Sequence, residues 1–186
     1  YGVACITGKR IHVLWGEPGI IQSHACVIFA IEDDYNHGVI SSRIHDVWVR
    51  GNSSTLEDRL RYTPSTAFRT FPFPTPNEKQ RARIANASRT VDALRRSACQ
   101  DSGKGLTKVY NLMDDGGFRE LKSAHNELDL AVSDAYGWDA KILNDSAQLL
   151  DALYDLNAKC AADPNYAPFP KSASDSKESL DFEDEE

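Results

Sequence analysis

Residues 35–76, YNHGVISSRIHDVWVRGNSSTLEDRLRYTPSTAFRTFPFPTP, decide how this chain is read, because helical periodicity gives way within them to an extended, proline-rich path. Ile40, Ile44, Val47 and Trp48 recur at i, i+4, i+7 and i+8, which makes one apolar stripe on one helix. Ser41, Ser42, Arg43, His45 and Arg50 fall on its other faces. Asp34 or Asn36 is placed to cap the start of that helix, and Gly51 to end it. Further on, Pro64, Pro72, Pro74 and Pro76 each remove a donor and fix φ, so residues 52–76 are expected to form an irregular, extended connector. Phe68, Phe71 and Phe73 are expected to be buried, since three exposed rings in six residues would make an adhesive patch.

Upstream of this stretch, short β-prone runs alternate with turn residues: YGVACI, RIHVLW and HACVIFAI are separated by T-G-K and G-E-P-G, predicting two or three strands. CVIFAI is almost unbroken in its apolarity, as in a strand covered on both faces. Downstream, Asn77 is placed to cap a helix whose residues Ile84, Ala87, Val91, Leu94 and Ala98 are spaced 3, 4, 3, 4. Gly103 and Gly105 interrupt it. A short helix over Leu106 to Met113 follows, then one begun by Gly116-Gly117 and closed by Tyr136-Gly137-Trp138, with Phe118, Leu121, His125, Leu128, Val132 and Ala135 on one side. A last helix near Ser146 to Ala161 presents Leu149, Leu150, Leu153, Leu156 and Cys160. Beyond Pro164 the chain runs through Ser, Pro and Lys into SLDFEDEE, too polar to offset its ordering entropy. The expected class is therefore α+β: a small mixed β/α portion over 1–76, an antiparallel helical bundle over 77–162 and an acidic disordered tail over 163–186.

With 186 residues, 41% hydrophobic and 26% charged, the chain can bury a substantial core. It contains no apolar run near the roughly 20 residues a membrane span needs, so no membrane partner is expected. Its start, YGVACITGKR, lacks both an initiator Met and the order of a signal peptide, and reads as part of something larger. Cys5, Cys26, Cys99 and Cys160 lie far apart with no C-x-x-C pair, which favours a reducing, cytoplasmic setting over a zinc knuckle or a disulfide framework. The net charge of −7 is unevenly distributed. Residues 37–96 hold eleven basic residues against five acidic, whereas from residue 111 onward there are six basic against eighteen acidic. Such asymmetry permits a polyanion partner on one half, although two ordinary solvated faces would give the same count.

Catalytic patterns are missing. The chain has no Gly-rich phosphate loop, no H-E-x-x-H, no G-x-S-x-G and no Asn/Asp-Pro-Pro-aromatic tetrapeptide. Asp114 or Asp115 followed by Glu120-Leu121-Lys122 has the residue types of a nuclease metal site. Leu121 lies on an apolar helical stripe, however, which makes Glu120 and Lys122 solvated flank residues. His45 and His125 read as hydrogen-bonded histidines at the edge of a core. No catalytic residue, metal ligand or cofactor site is assigned. Binding chemistry is better represented: Ser41, Ser42 and Arg43, then the loop Arg50, Asn52 and Ser53, and the basic tip Lys9-Arg10 between two predicted strands supply donors to phosphate oxygens and base edges. The alternative for each is a solvated surface.

Two blocks of the quoted stretch resemble the end of the target recognition domain of large adenine-specific DNA methyltransferases, especially the MmeI-like type IIL restriction-modification enzymes. Tyr35, Gly38-Val39-Ile40, Ser42, Arg43, His45 and Trp48 match the first block. Arg61-Tyr62-Thr63-Pro64, Thr66, Phe68 and Phe71-Pro72-Phe73-Pro74 match the second. Ile44, Asp46 and Val47 depart conservatively from the pattern. In the helical part, Tyr110-Asn111, Leu121, Ala124-His125, Leu128-Asp129 and Ala135-Tyr136-Gly137-Trp138 occupy further landmarks, and FPFPTPNEKQRARI is similar to the exit of type I specificity subunits into their spacer helix.

The resemblance implies a sequence-recognition module over 1–76 joined to a helical spacer over 77–162, catalytically silent by itself, with double-stranded DNA and an upstream methyltransferase domain of the same parent as partners. S-adenosylmethionine would serve that parent, with magnesium if it also cleaves DNA, and the duplex would be held while the target adenine is rotated out for N6 methylation. Lys9, Arg10, Ser41, Ser42, Arg43, Arg50, Asn52 and Ser53 are the expected DNA contacts. The alternative reading is a non-enzymatic helical scaffold that docks subunits or domains without touching DNA.

Overall fold

The computed structural model describes residues 1–56 and 59–166. The mixed α+β class is observed. Two small antiparallel sheets carry the first part. Strands β1 (Gly2–Cys5), β3 (Leu14–Trp15) and β4 (Cys26–Phe29) form one sheet in the order β3-β1-β4, and β2 (Thr7–Gly8), β5 (Ser54–Leu56) and β6 (Arg59–Arg61) form the other in the order β2-β6-β5. β4 differs from the expectation of a strand covered on both faces. Val27 and Phe29 are buried, Phe29 against the Tyr62 and Phe68 rings, while Ile28 on the opposite face is 57% exposed, so this strand is covered on one face.

A single helix is expected around Ile40 and Trp48; the structure has two. α1 (Asp34–Ser41) is capped by Asp33, whose carboxylate accepts from the Asn36 backbone N at 2.7 Å, one residue earlier than expected. α2 (Arg43–Asn52) runs past Gly51 to a cap at Ser53. Ser42 between them has extended backbone and ends one helix while starting the next: its Oγ donates to Val39 O at 2.7 Å and accepts from His45 N at 3.4 Å. Periodicity alone does not show this break, because Ile40, Ile44, Val47 and Trp48 are all buried anyway, around the bend rather than along one cylinder. Gly51 has a different use from the expected stop. A Cβ there would lie 2.8 Å from Leu150 Cδ1, so the missing side chain admits a neighbouring helix.

The connector becomes the centre of an aromatic core. After the short helix α3 (Pro64–Ala67), Phe71 and Phe73 are buried at 2% and 3% exposure and meet edge to face at 5.0 Å, with Phe68 half-buried beside them. Prolines that cannot donate still accept: Tyr35 Oη donates to Pro74 O and Tyr136 Oη to Pro72 O.

α4 (Glu78–Ser102) begins with a reciprocal capping box between Asn77 and Gln80. Its buried stripe is Ile84, Ser88, Val91, Arg95 and Ala98, one position round from the expected Ala87 and Leu94, which are only partly buried. The cause is that α4 is covered on two sides, by α1 and by α6 (Arg119–Ala135). A Cβ on Gly38 of α1 would sit 2.8 Å from Ile84 Cγ2 and 3.1 Å from Ser88 Cβ, so the α1–α4 approach depends on that glycine. α5 (Leu106–Asp114) lies against α4 and α6, a 3-10 turn covers Ala140–Asn144, and α7 (Ser146–Ala162) leaves the other spacer helices to pack on α2. One contiguous core therefore runs through both parts of the chain. Most of the expected tail, residues 167–186, lies outside the described residues. Asp163–Tyr166 are described, and Tyr166 Oη accepts from Phe73 N at 2.7 Å. Among the described residues no helix is long and apolar enough to cross a membrane.

Candidate functional site

Two surfaces hold all the basic residues of the first part except Arg69. The first is a cleft of about 310 Å³ at the α1–α2 junction, walled by the β2–β3 loop, α5 and α6. Arg10, Arg43 and Lys122 line it, and so do Asp46, Asp114 and Asp129. Arg10 pairs with Asp114 at 2.9 Å. The Arg43 guanidinium donates to Leu143 O and Ser146 Oγ, both at 3.0 Å, and its backbone N donates to the Asp129 carboxylate at 2.7 Å. Burial pushes the Asp129 carboxyl up to about 6 against the opposing effect of Arg43. Behind these groups Tyr110 Oη meets His125 Nε2 at 2.8 Å, and the His12 ring lies 4.0 Å from that of Tyr110. Burial lowers His12 to about 3 and His125 to about 4, each helped by the charges of Arg95 and Arg10, so both rings are neutral at pH 7. The cleft thus balances its own charge, and its arginines brace helix ends.

The second surface surrounds the β2-β6-β5 sheet. The register pairs Arg61 with Thr7 and Ser54, and Leu60 with Gly8 and Thr55. Leu60 is buried; Arg59 and Arg61 are exposed on the opposite side of the strand. Among the described residues neither guanidinium makes an ion pair or hydrogen bond. Lys9 follows β2 directly and is exposed, and its carbonyl accepts from Arg50 Nη2 at 2.8 Å. Arg50 also holds Asp46 at 2.7 Å, which fixes its side chain along α2. Asn52 caps Trp48 O at 2.9 Å and Tyr154 Oη donates weakly to its Oδ1.

The eight residues that the sequence points to therefore divide. Lys9, Arg50, Asn52 and Ser53 border the open sheet. Arg10, Ser41, Ser42 and Arg43 gather at the cleft, with Ser42 fully buried as a cap and Ser41 Oγ buried without a partner, as is Ser53 Oγ. Arg59 and Arg61 are not among the eight, because residues 52–76 read as irregular. The Arg-Leu-Arg-Tyr alternation at positions 59–62, apolar at even numbers, is the signal that points to them. His45, read as a core-edge histidine, is buried with Nδ1 on Ile40 O at 2.8 Å and Nε2 3.3 Å from Tyr62 Oη, and burial lowers it to about 4. Glu120 and Lys122 are exposed flank residues of α6, and among the described residues no three His, Cys, Asp or Glu side chains are placed to hold a metal.

Comparison with known proteins bears on the same segment. The family described as the MmeI target recognition domain matches residues 10–75. DNA methyltransferase A of Bacillus subtilis (strain 168) is 30% identical over 130 residues, which cover 69% of this chain and 14% of that protein. The solved structure of the type IIL restriction-modification enzyme MmeI in complex with DNA superimposes with a TM-score of 0.75 at 28% identity, covering 87% of this chain and 21% of MmeI. The chain thus spans between a seventh and about a fifth of the length of these relatives.

Proposed function

We propose that this chain, which carries an MmeI-like target recognition segment at residues 10–75, reads a specific duplex DNA sequence on behalf of an adenine-N6 methyltransferase whose catalytic part lies elsewhere in the parent protein. The observation that carries the proposal is the pair Arg59 and Arg61, exposed and unpaired among the described residues on one side of β6, within the segment matched to a recognition domain. Lys9, exposed beside β2, extends this basic surface, whereas Arg50, Asn52 and Ser53 border it with their polar groups engaged on Asp46, Lys9 O and Trp48 O or buried. Guanidinium groups suit both phosphate oxygens and the O6/N7 edge of guanine, so such a surface can grip and read. Arg10, Ser42 and Arg43 could reach DNA only by giving up their bonds to Asp114, Val39, Leu143 and Ser146; we assign them to holding the surface in shape.

In this reading residues 1–76 contact DNA, and the helices over 77–162 hold that portion rigid through α1–α4 and α2–α7 packing. S-adenosylmethionine and the Asn-Pro-Pro-Tyr type of loop belong to the methyltransferase domain of the parent, which the recognition surface would face across the duplex while the adenine is rotated out. Magnesium would enter only where the parent also cleaves DNA.

A salt series tests the proposal. In the parent protein, log affinity for its target duplex should fall linearly with log salt, and Arg59→Ala with Arg61→Ala should make the slope shallower by about 1 for each phosphate no longer neutralised. An unchanged slope and affinity in the double variant would remove this surface from the interface. A flat salt response of the unaltered protein would favour docking of protein subunits instead.

A further inference from the structure

We propose that Cys5 and Cys26 form a cross-strand dithiol that a small disulfide, such as oxidised glutathione, converts into an intramolecular disulfide tying β1 to β4. The two residues are 21 positions apart in sequence but are direct partners in the antiparallel β1–β4 ladder. The ladder also fixes what kind of pair they are. Ile6 N donates to Ala25 O at 2.8 Å, so the next pair along, Cys5 and Cys26, is a non-hydrogen-bonded one. Consistently, Cys26 N is turned away to Ser23 O at 2.9 Å. At such positions Cα atoms are about 4.5 Å apart and side chains approach closest, within the ~4.4–6.8 Å span that a disulfide needs. Burial together with the neighbouring Cys26 pushes the Cys5 thiol up, which lowers its thiolate fraction and slows its attack on an oxidant.

Access is asymmetric. Cys5 is exposed and Cys26 half-buried, so Cys5 is the attacking group and Cys26 the resolving one. Cys5, having lost its proton to solvent, attacks one sulfur of the oxidant. The oxidant's S–S bond breaks, one thiolate leaves and takes up a proton, and a mixed disulfide remains on Cys5. Cys26 then loses its proton and attacks the Cys5 sulfur, expelling the second thiolate, which is protonated in turn. The two cysteines have lost two electrons and the oxidant has gained them. The bond would lie one residue from Ile6, whose carbonyl accepts from Tyr62 N at 2.7 Å where the chain passes from one sheet to the other. Oxidation would therefore pin the junction of the two sheets beside Thr7 and Lys9.

The full chain, incubated with oxidised glutathione and mapped by mass spectrometry without reduction, should lose two hydrogens and yield one linked peptide pair containing Cys5 and Cys26. Its thermal midpoint should rise by roughly 5–10 °C, as expected for closing a loop of ~20 residues, and return on reduction. Cys26→Ser should stop at a glutathione adduct on Cys5 that does not resolve, and Cys5→Ser should give no crosslink. A persistent adduct on Cys5 in the unaltered chain, linkage through Cys99 or Cys160, or no reaction would each overturn the proposal. The outcome is independent of whether the chain binds DNA.

Discussion

Arg59 and Arg61 on one sheet, and Arg10, Arg43, Arg50 and Arg95 in and around the helix junction, contribute equally, residue for residue, to the positive count of residues 1–96 but not to their surface. The members of the second group each answer to a protein partner: Asp114, the Leu143 carbonyl, Asp46, and for Arg95 the Val13 carbonyl together with Asp92. The first pair answers to none among the described residues. Charge counted along a sequence is thus an upper limit on charge offered to a polyanion, and the difference is set by which arginines the fold uses for itself.

Substitutions can break or sharpen this contrast. The largest effect is expected at Arg95, 2% exposed, where Arg95→Ala removes the bond to Val13 O and one of the two arginines on the Asp92 carboxylate, which keeps Arg96 at 2.8 Å. A decrease of about 2–3 kcal/mol in denaturant unfolding is expected. A decrease below ~1 kcal/mol would mean that the buried guanidinium is no strut.

Next comes acid. His12, His37, His45 and His125 are all lowered, to about 3 for the first and about 4 for the others, chiefly by burial. A base whose folded value lies below its unfolded value stabilises above the unfolded value, near 6.5, and that contribution disappears as pH falls toward 4. Asp129, raised to about 6, works the other way: its folded form binds the extra proton, so it gains relative stability as pH drops through 6. With four histidines against one carboxyl, stability should fall by roughly 2 kcal/mol or more between pH 7 and 4.5. Thermal midpoints independent of pH across that interval would contradict the neutral polar core.

Arg43→Ala should cost about 1–2 kcal/mol, since the bonds it makes to Leu143 O and Ser146 Oγ are solvent-accessible. Arg59→Ala and Arg61→Ala should change stability by less than ~0.5 kcal/mol while weakening DNA binding, the opposite profile. If Arg43→Ala instead left stability intact and selectively reduced DNA affinity, the division between bracing and binding arginines would fail.

Much of this architecture is readable from local chemistry. The capping Asn77, the interruption at Gly103, the closure at Tyr136-Gly137-Trp138 and the burial of Phe71 and Phe73 follow from it, and each appears. The helix break at Ser42 is not, because a serine that both caps and terminates looks like any polar residue between apolar ones. Nor is the one-position turn of the α4 stripe, which depends on α1 arriving at Gly38. At the candidate site, loop chemistry alone points to Lys9, Arg50, Asn52 and Ser53, whereas Arg59 and Arg61 need the β6 pairing to become visible.

The sequence by itself determined the later helices, the Asn77 cap and the landmark residues shared with MmeI-type recognition segments, since these rest on spacings of a few residues. Only the tertiary structure decided which charges remain available and which cysteines meet. The partners of Arg10, Arg43 and Cys5 lie 104, 103 and 21 residues away, and contact over such separations is set by how whole helices and sheets pack.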